Sequence, residues 1–195
     1  MKRLAVILAP GFEEYEAACY LSVFGWTRTI EGIEPIVVDT LAVDRDVTGA
    51  HGFIVRTTSR LSDANASSFA GAAVPGGFHE KGYSHATEPP ILEFLRAIDA
   101  KGGCVASTST GARVLAAAGL LVGRRATTYP FADGRHRAFL AECGATLSDG
   151  PIVRDSTIIT GSAPWDARDT ALELLHAIAG ERAVMAVKRS MGSPM

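Results

Sequence analysis

The sequence predicts a doubly wound α/β protein, with a mainly parallel sheet and helices on both faces. Three observations predict it. Leu4 to Ala9 is an unbroken apolar run, the mark of a strand covered on both sides. Strand-like and helix-like segments then alternate along the chain, the rhythm of parallel strands joined by crossover helices. Finally, the chemically apt segments fall where predicted strands end: Glu16 after the first, Pro75-Gly76-Gly77 after the third, and Ser109-Thr110-Gly111 further on. In such sheets ligands sit at the carboxyl ends of the strands.

Each element has its own signal. After Pro10-Gly11, Ala17, Tyr20, Leu21 and Phe24 fall at i, i+3, i+4 and i+7, one face of a helix. Glu13, Glu14 and Glu16 crowd its first turn, where the helix dipole favours acidic groups. Solvated capping charge accounts for Glu13 and Glu14, whereas Glu16 is placed to point inward over the sheet edge. Pro35 to Val38 reads as a second buried strand, and Asp44 to Thr57 as a hairpin beside the main sheet, with His51 an exposed turn residue. Ser68 to Val74 leads the third strand into a glycine pair that lets backbone approach a ligand. Thr87-Glu88-Pro89-Pro90 opens a helix buried through Ile91, Leu92, Leu95 and Ile98, which Gly102-Gly103 ends.

Beyond the run Cys104 to Thr108, a helix is expected over Arg113 to Leu121, a short strand over Ala126 to Tyr129, and a helix over Arg135 to Glu142. Ile152-Val153 and Thr157 to Thr160 form a hairpin-like return. Ala171, Leu174, Leu175 and Ile178 mark another helix, and Glu181 to Lys188 the last. Residues 1–190 read as a single domain and 191–195 as a tail.

Composition narrows the function classes. The chain has 195 residues, 47% of them hydrophobic and 21% charged, which is ordinary globular chemistry. A net charge of −2 gives no reason to expect nucleic-acid or anionic-membrane partners. Cys19, Cys104 and Cys143 are widely spaced and form no CxxC pair, so neither a zinc site nor a disulfide framework is indicated. No metal or cofactor is expected. The apolar run Leu4 to Ala9 is too short for a signal peptide core, and a reducing cytoplasm is the default compartment.

The stretch from Gly102 to Tyr129 carries the most information. Strand, abrupt turn and helix make the shape of a nucleophile elbow, which holds its apex side chain out from the sheet's carboxyl end. With Ser109 at the apex, the residues two away are Ser107 and Gly111, both small. The backbone N–H of Thr110 then opens a helix and faces an anion near Ser109.

At these residues the chain resembles the ThiJ/PfpI superfamily, the family of the parkinsonism-associated deglycase, with a class I glutamine amidotransferase-like fold. AVILAPGFEEYE is similar to its first strand and glutamate turn, VPGG to its oxyanion loop, and STGARVLAAAGLLVGRRATTYP to its elbow and following strand. The resemblance spans essentially the whole chain. It implies a flavodoxin-like fold, a homodimer, Glu16 as the carboxylate beside the nucleophile, and Gly76 and Gly77 in the oxyanion loop. Two departures stand out. The family's nucleophile is cysteine, and here the position is Ser109; Tyr129 stands where the deglycase branch carries a histidine. The peptidase branch places histidine directly after its cysteine, where this chain has Thr110. His79, in the loop after Gly77, is the histidine that the sequence places near the pocket.

A thiol with pKa near ~8.5 ionises readily, whereas a serine hydroxyl needs an adjacent base. A carboxylate near its usual ~4.3 is a weak base for an alcohol, and burial would raise it. Two function classes follow. In one, the chain is an enzyme acting on a small carbonyl- or amide-containing molecule by deglycase, glyoxalase or amidase-type chemistry. Ser109 is then nucleophile or polar anchor, Glu16 is acid/base, and the Gly77 and Thr110 N–H groups are oxyanion donors. In the other, the site is catalytically silent and binds a small molecule or a partner. A third reading makes Ser109 an engineered replacement of a natural cysteine.

Overall fold

The computed structural model describes residues 1–192; the end of the predicted tail, residues 193–195, lies outside the described residues. The chain opens with strand β1 (Lys2–Ile7), whose last four residues are buried, as a strand covered on both faces requires. Helix α1 (Glu14–Gly25) follows, then β2 (Ile36–Ala42), the hairpin strands β3 (Asp46–Thr48) and β4 (Ile54–Arg56), and a two-residue edge strand, β5 (Ser59–Arg60). Next come β6 (Gly71–Val74), α2 (Pro89–Ala100), β7 (Cys104–Thr108) and α3 (Ala112–Ala117). The remainder is β8 (Arg125–Ala126), α4 (Arg135–Glu142), β9 (Thr146–Leu147), β10 (Ile152–Asp155), β11 (Ile158–Gly161), α5 (Ala167–Ala179) and α6 (Glu181–Ser190).

Seven strands form one sheet in the order β10-β11-β7-β6-β1-β2-β5. Only the β10–β11 pairing in that sheet is antiparallel, so the sheet is mainly parallel and flavodoxin-like, with helices on both faces. Helices α1, α5 and α6 pack as one group, and α2, α3 and α4 as another. From β1 the chain moves outward to β2 and then returns to place β6 on the other side of β1. The crevice at the carboxyl ends of β1 and β6 is therefore the switch point, where neighbouring connections diverge and leave room for a ligand.

Several local expectations are revised. The strand expected over Ala126 to Tyr129 is only β8, paired in parallel with β9 apart from the main sheet. Thr127 instead donates its N–H to Thr160 Oγ1, and Thr128 donates its hydroxyl to Ser109 O, so the segment braces the elbow. Helix α3 stops at Ala117 rather than Leu121, because Gly119 turns left-handed at φ 78°. In α1 the buried face takes Val23 rather than Leu21. Nor are Glu13 and Glu14 merely solvated: Glu13 caps α1 by accepting the Glu16 N–H at 2.8 Å, and Glu14 accepts the His51 N–H at 2.7 Å. That second bond ties the hairpin of β3 and β4 to α1.

Candidate active site

Strand β7 runs straight into Ser109, which sits at φ 54° in the left-handed region. Among the described residues only Ser156 shares that conformation without being glycine. A side chain there costs about 1–2 kcal/mol, so surrounding contacts must hold it. They do. The Thr128 hydroxyl donates to Ser109 O at 2.9 Å, and a hydrogen bond of 2.6 Å joins Tyr20 to Thr108 just before the bend. A methyl at Gly111 would collide with the Val74 carbonyl, and one at Gly76 would lie 3.0 Å from Thr110 N. The elbow and the loop after β6 therefore pack backbone against backbone, which only glycine permits.

Glu16 is fully buried at the start of α1. Its Oε2 accepts the Gly76 N–H at 2.5 Å, while Gly76 O accepts the Glu13 N–H at 2.8 Å, so the turn after β1 and the loop after β6 interlock. Tyr83 secures the same loop by donating its hydroxyl to Pro75 O. Burial is the largest influence on the Glu16 carboxyl and raises it; the Gly76 bond lowers it, the Glu13 charge raises it, and the Ser109 hydroxyl lowers it least. The result is a pKa raised from 4.5 to about 8. The Ser109 influence is weak, and Oε1 finishes without a hydrogen bond of full geometry. At neutral pH the carboxyl is protonated, with one oxygen still to be partnered.

The oxyanion donors need a correction. The Gly76 N–H is committed to Glu16, and the Gly77 N–H points to Thr110 Oγ1 at 2.9 Å. The Thr110 hydroxyl in turn donates to Gly77 O at 3.0 Å. Gly77 can face an oxyanion only when the Thr110 side chain turns away. The Thr110 N–H, on the first turn after the elbow, makes no hydrogen bond to a side chain among the described residues.

These groups open into a cleft of about 550 Å³. Glu16, Gly77, Ser109, Thr110 and Tyr129 line it together, with the exposed His79 also on its wall. Gly76 lies behind, through its bond to Glu16. Residues that sequence reasoning passed over also line it: Arg113, Phe131, Arg135 and His136. Arg113 was findable, being one helical turn beyond the elbow serine. His136 was not, since a helix from a separate part of the chain delivers it with no local signal. His136 is also the better-buried histidine, and its Nδ1 is buried without a partner.

Carboxylate oxygens of Glu13 and Glu14 and a ring nitrogen of His51 all lie within 4.8 Å of one another, a grouping with the donor types of a metal site. Both carboxylates already serve backbone N–H groups, and His51 is exposed. The three cysteines are free and half-buried, and none lies at the elbow. Burial pushes the Cys19 and Cys104 thiols up, away from nucleophilic character. No helix among the described residues is long and apolar enough to cross a membrane.

Comparison with known proteins places the fold and the family. The DJ-1/PfpI family pattern matches residues 2–177. The chain is 30% identical to protein dj-1beta of Drosophila melanogaster over 97% of its own length and 96% of that protein's. It is 29% identical to the putative cysteine protease YraA of Bacillus subtilis, covering 85% of this chain and 91% of that one. Among solved structures, a cysteine-to-alanine variant of a DJ-1 superfamily protein from Salmonella typhimurium superposes with a TM-score of 0.84 at 29% identity over 100% of both chains. The chain belongs to the DJ-1/PfpI family.

Proposed function

We propose that this protein is a hydrolase-type enzyme acting on a small carbonyl- or amide-containing molecule, with Ser109 as nucleophile and Glu16 as its acid/base partner. One observation carries the reading: a strained serine at φ 54° at a strand end, beside a buried carboxyl with pKa raised to about 8. The putative protease name of the Bacillus relative points to the same bond-breaking class.

In the reacting form Glu16 is ionised and takes the Ser109 hydroxyl proton as the oxygen attacks the carbonyl carbon. The carbonyl π bond breaks toward oxygen, and the Thr110 N–H faces the developing oxyanion. Glu16 then returns the proton to the departing nitrogen or oxygen, and water repeats the sequence to release the acyl group. A base with pKa about 8 suits this work far better than an ordinary carboxylate. Near pH 7 roughly one molecule in ten carries it ionised, which makes the enzyme slow at neutral pH.

The occupied Gly77 N–H favours a second reading, a silent binding site whose oxyanion loop is closed. Turnover of simple amides and esters by the wild type, Ser109→Ala and Ser109→Cys separates the two. The enzyme reading expects slow wild-type turnover that Ser109→Ala removes. Equal rates for wild type and Ser109→Ala would leave only the binding reading.

A further inference from the structure

We propose that Arg113, Arg135 and His136 form an anion subsite, so that the cleft selects small carbonyl compounds bearing a carboxylate or phosphate group. The inference deepens the reading above and rests on it only for the carbonyl. The anion subsite itself follows from the wall of the cleft.

Placement comes first. Arg113 stands in the first turn of α3, four residues after Ser109, and both line the same cleft. A ligand with its carbonyl at Ser109 therefore meets the guanidinium with its other end. Preorganisation is the second point. The Arg113 guanidinium stacks 4.0 Å from the Phe139 ring centroid, and that of Arg135 lies 4.5 Å from the Phe131 centroid. Stacking engages the planar faces and leaves the in-plane N–H donors for a carboxylate or phosphate.

Charge balance is the third point. Arg113 makes no hydrogen bond or ion pair among the described residues, although it is half-buried. Arg135 has only the exposed Asp133, at 3.7 Å. Burial lowers the pKa of Arg113, and the neighbouring Arg135 lowers it further; Glu142 and Cys143, from the end of α4, pull weakly the other way. His136 is lowered by burial, then by Arg113 and Arg135, with Asp133 opposing. The two guanidiniums thus repel one another, and the same surroundings hold the His136 ring neutral, with Nδ1 buried and without a partner. An anion bound between the guanidiniums relieves their repulsion. The ordinary alternative, arginines waving in solvent, does not account for two guanidiniums held against aromatic rings on one cleft. The carboxylates of Glu13 and Glu80 also line the cleft, and they disfavour an anion beside them and favour its placement toward Arg113.

Calorimetric titration of the full chain tests this with pyruvate, its neutral isostere pyruvamide, and dihydroxyacetone phosphate. Running it on both wild type and Ser109→Ala separates binding from turnover, so loss of the serine reaction leaves the subsite testable. Pyruvate or dihydroxyacetone phosphate should bind at least about tenfold more tightly than pyruvamide, and weaken with added salt. The tighter of the two identifies carboxylate or phosphate as the source of the charge. Arg113→Gln should weaken the anions roughly tenfold and leave pyruvamide unchanged. Arg135→Gln, at an exposed position, is expected to act in the same direction should Arg113→Gln fold poorly. Pyruvamide binding as well as both anions, no measurable anion binding at millimolar concentration, or anion affinity indifferent to the arginine substitutions would overturn the proposal.

Discussion

Replacing Glu16 with glutamine should change how stability depends on pH. In the folded chain the carboxyl has a pKa of about 8, against 4.5 for an unhindered glutamate. Because the folded pKa is the higher, the folded state holds its proton where the unfolded state has lost it. The stabilising balance is complete below pH 4.5 and is lost as pH rises toward and through about 8. At 1.36 kcal/mol per pH unit the whole gap is worth on the order of 5 kcal/mol, of which about 4 kcal/mol falls between pH 5 and pH 9. Glutamine keeps the shape and a donor but cannot ionise. Urea unfolding of wild type and Glu16→Gln at intervals from pH 5 to pH 9 isolates the effect, since every other titrating group is common to both. The variant should gain about 4 kcal/mol on the wild type across that range. A difference that stays flat within about 1 kcal/mol would refute the reasoning, because Glu16 would then ionise normally despite its burial.

Two further outcomes are expected. Ser109→Cys should create a thiol whose alkylation reports a pKa below the free value of ~8.5, because the Thr110 N–H and the protonated Glu16 favour its anion; a value above ~8.5 would mean that desolvation dominates the elbow. The hairpin of β3 and β4 exposes Phe53 at 70% and Ile54 at 74%, a pairing of apolar side chains suited to a two-fold homodimer contact. Light scattering at micromolar concentration should give twice the 20.5 kDa chain mass, reduced toward one chain by Ile54→Glu; a monomer mass for the wild type would count against it.

Much of the fold was legible because local patterns and tertiary demands agree. The apolar run from Leu4 marked a doubly covered strand, which ends at Ile7 with Leu8 and Ala9 buried beyond it, and α4 begins and ends where its sequence signals place it, with Gly144 left-handed beyond it. The segment from Thr127 to Tyr129 misled because its β-branched residues suit a strand, yet its hydrogen bonds go to Thr160 and to the elbow instead. At the site, Glu16, Gly77 and Ser109 were readable as strand-end residues of one crevice. The Thr110 hydroxyl on the Gly77 N–H was not, since it depends on a side-chain rotamer. Nor were Arg135 and His136, which a helix brings over the cleft from across the fold.

The most direct test of the serine–glutamate pair is covalent labelling of intact protein with a fluorophosphonate, read by mass spectrometry and peptide mapping across pH 6 to 9. Such a reagent reports a serine whose proton a neighbouring base removes. The account predicts a single adduct on Ser109, forming faster as pH rises through about 8 with the ionisation of Glu16, and strongly slowed in Glu16→Gln. No adduct on Ser109, or labelling indifferent to pH and to Glu16→Gln, would contradict it.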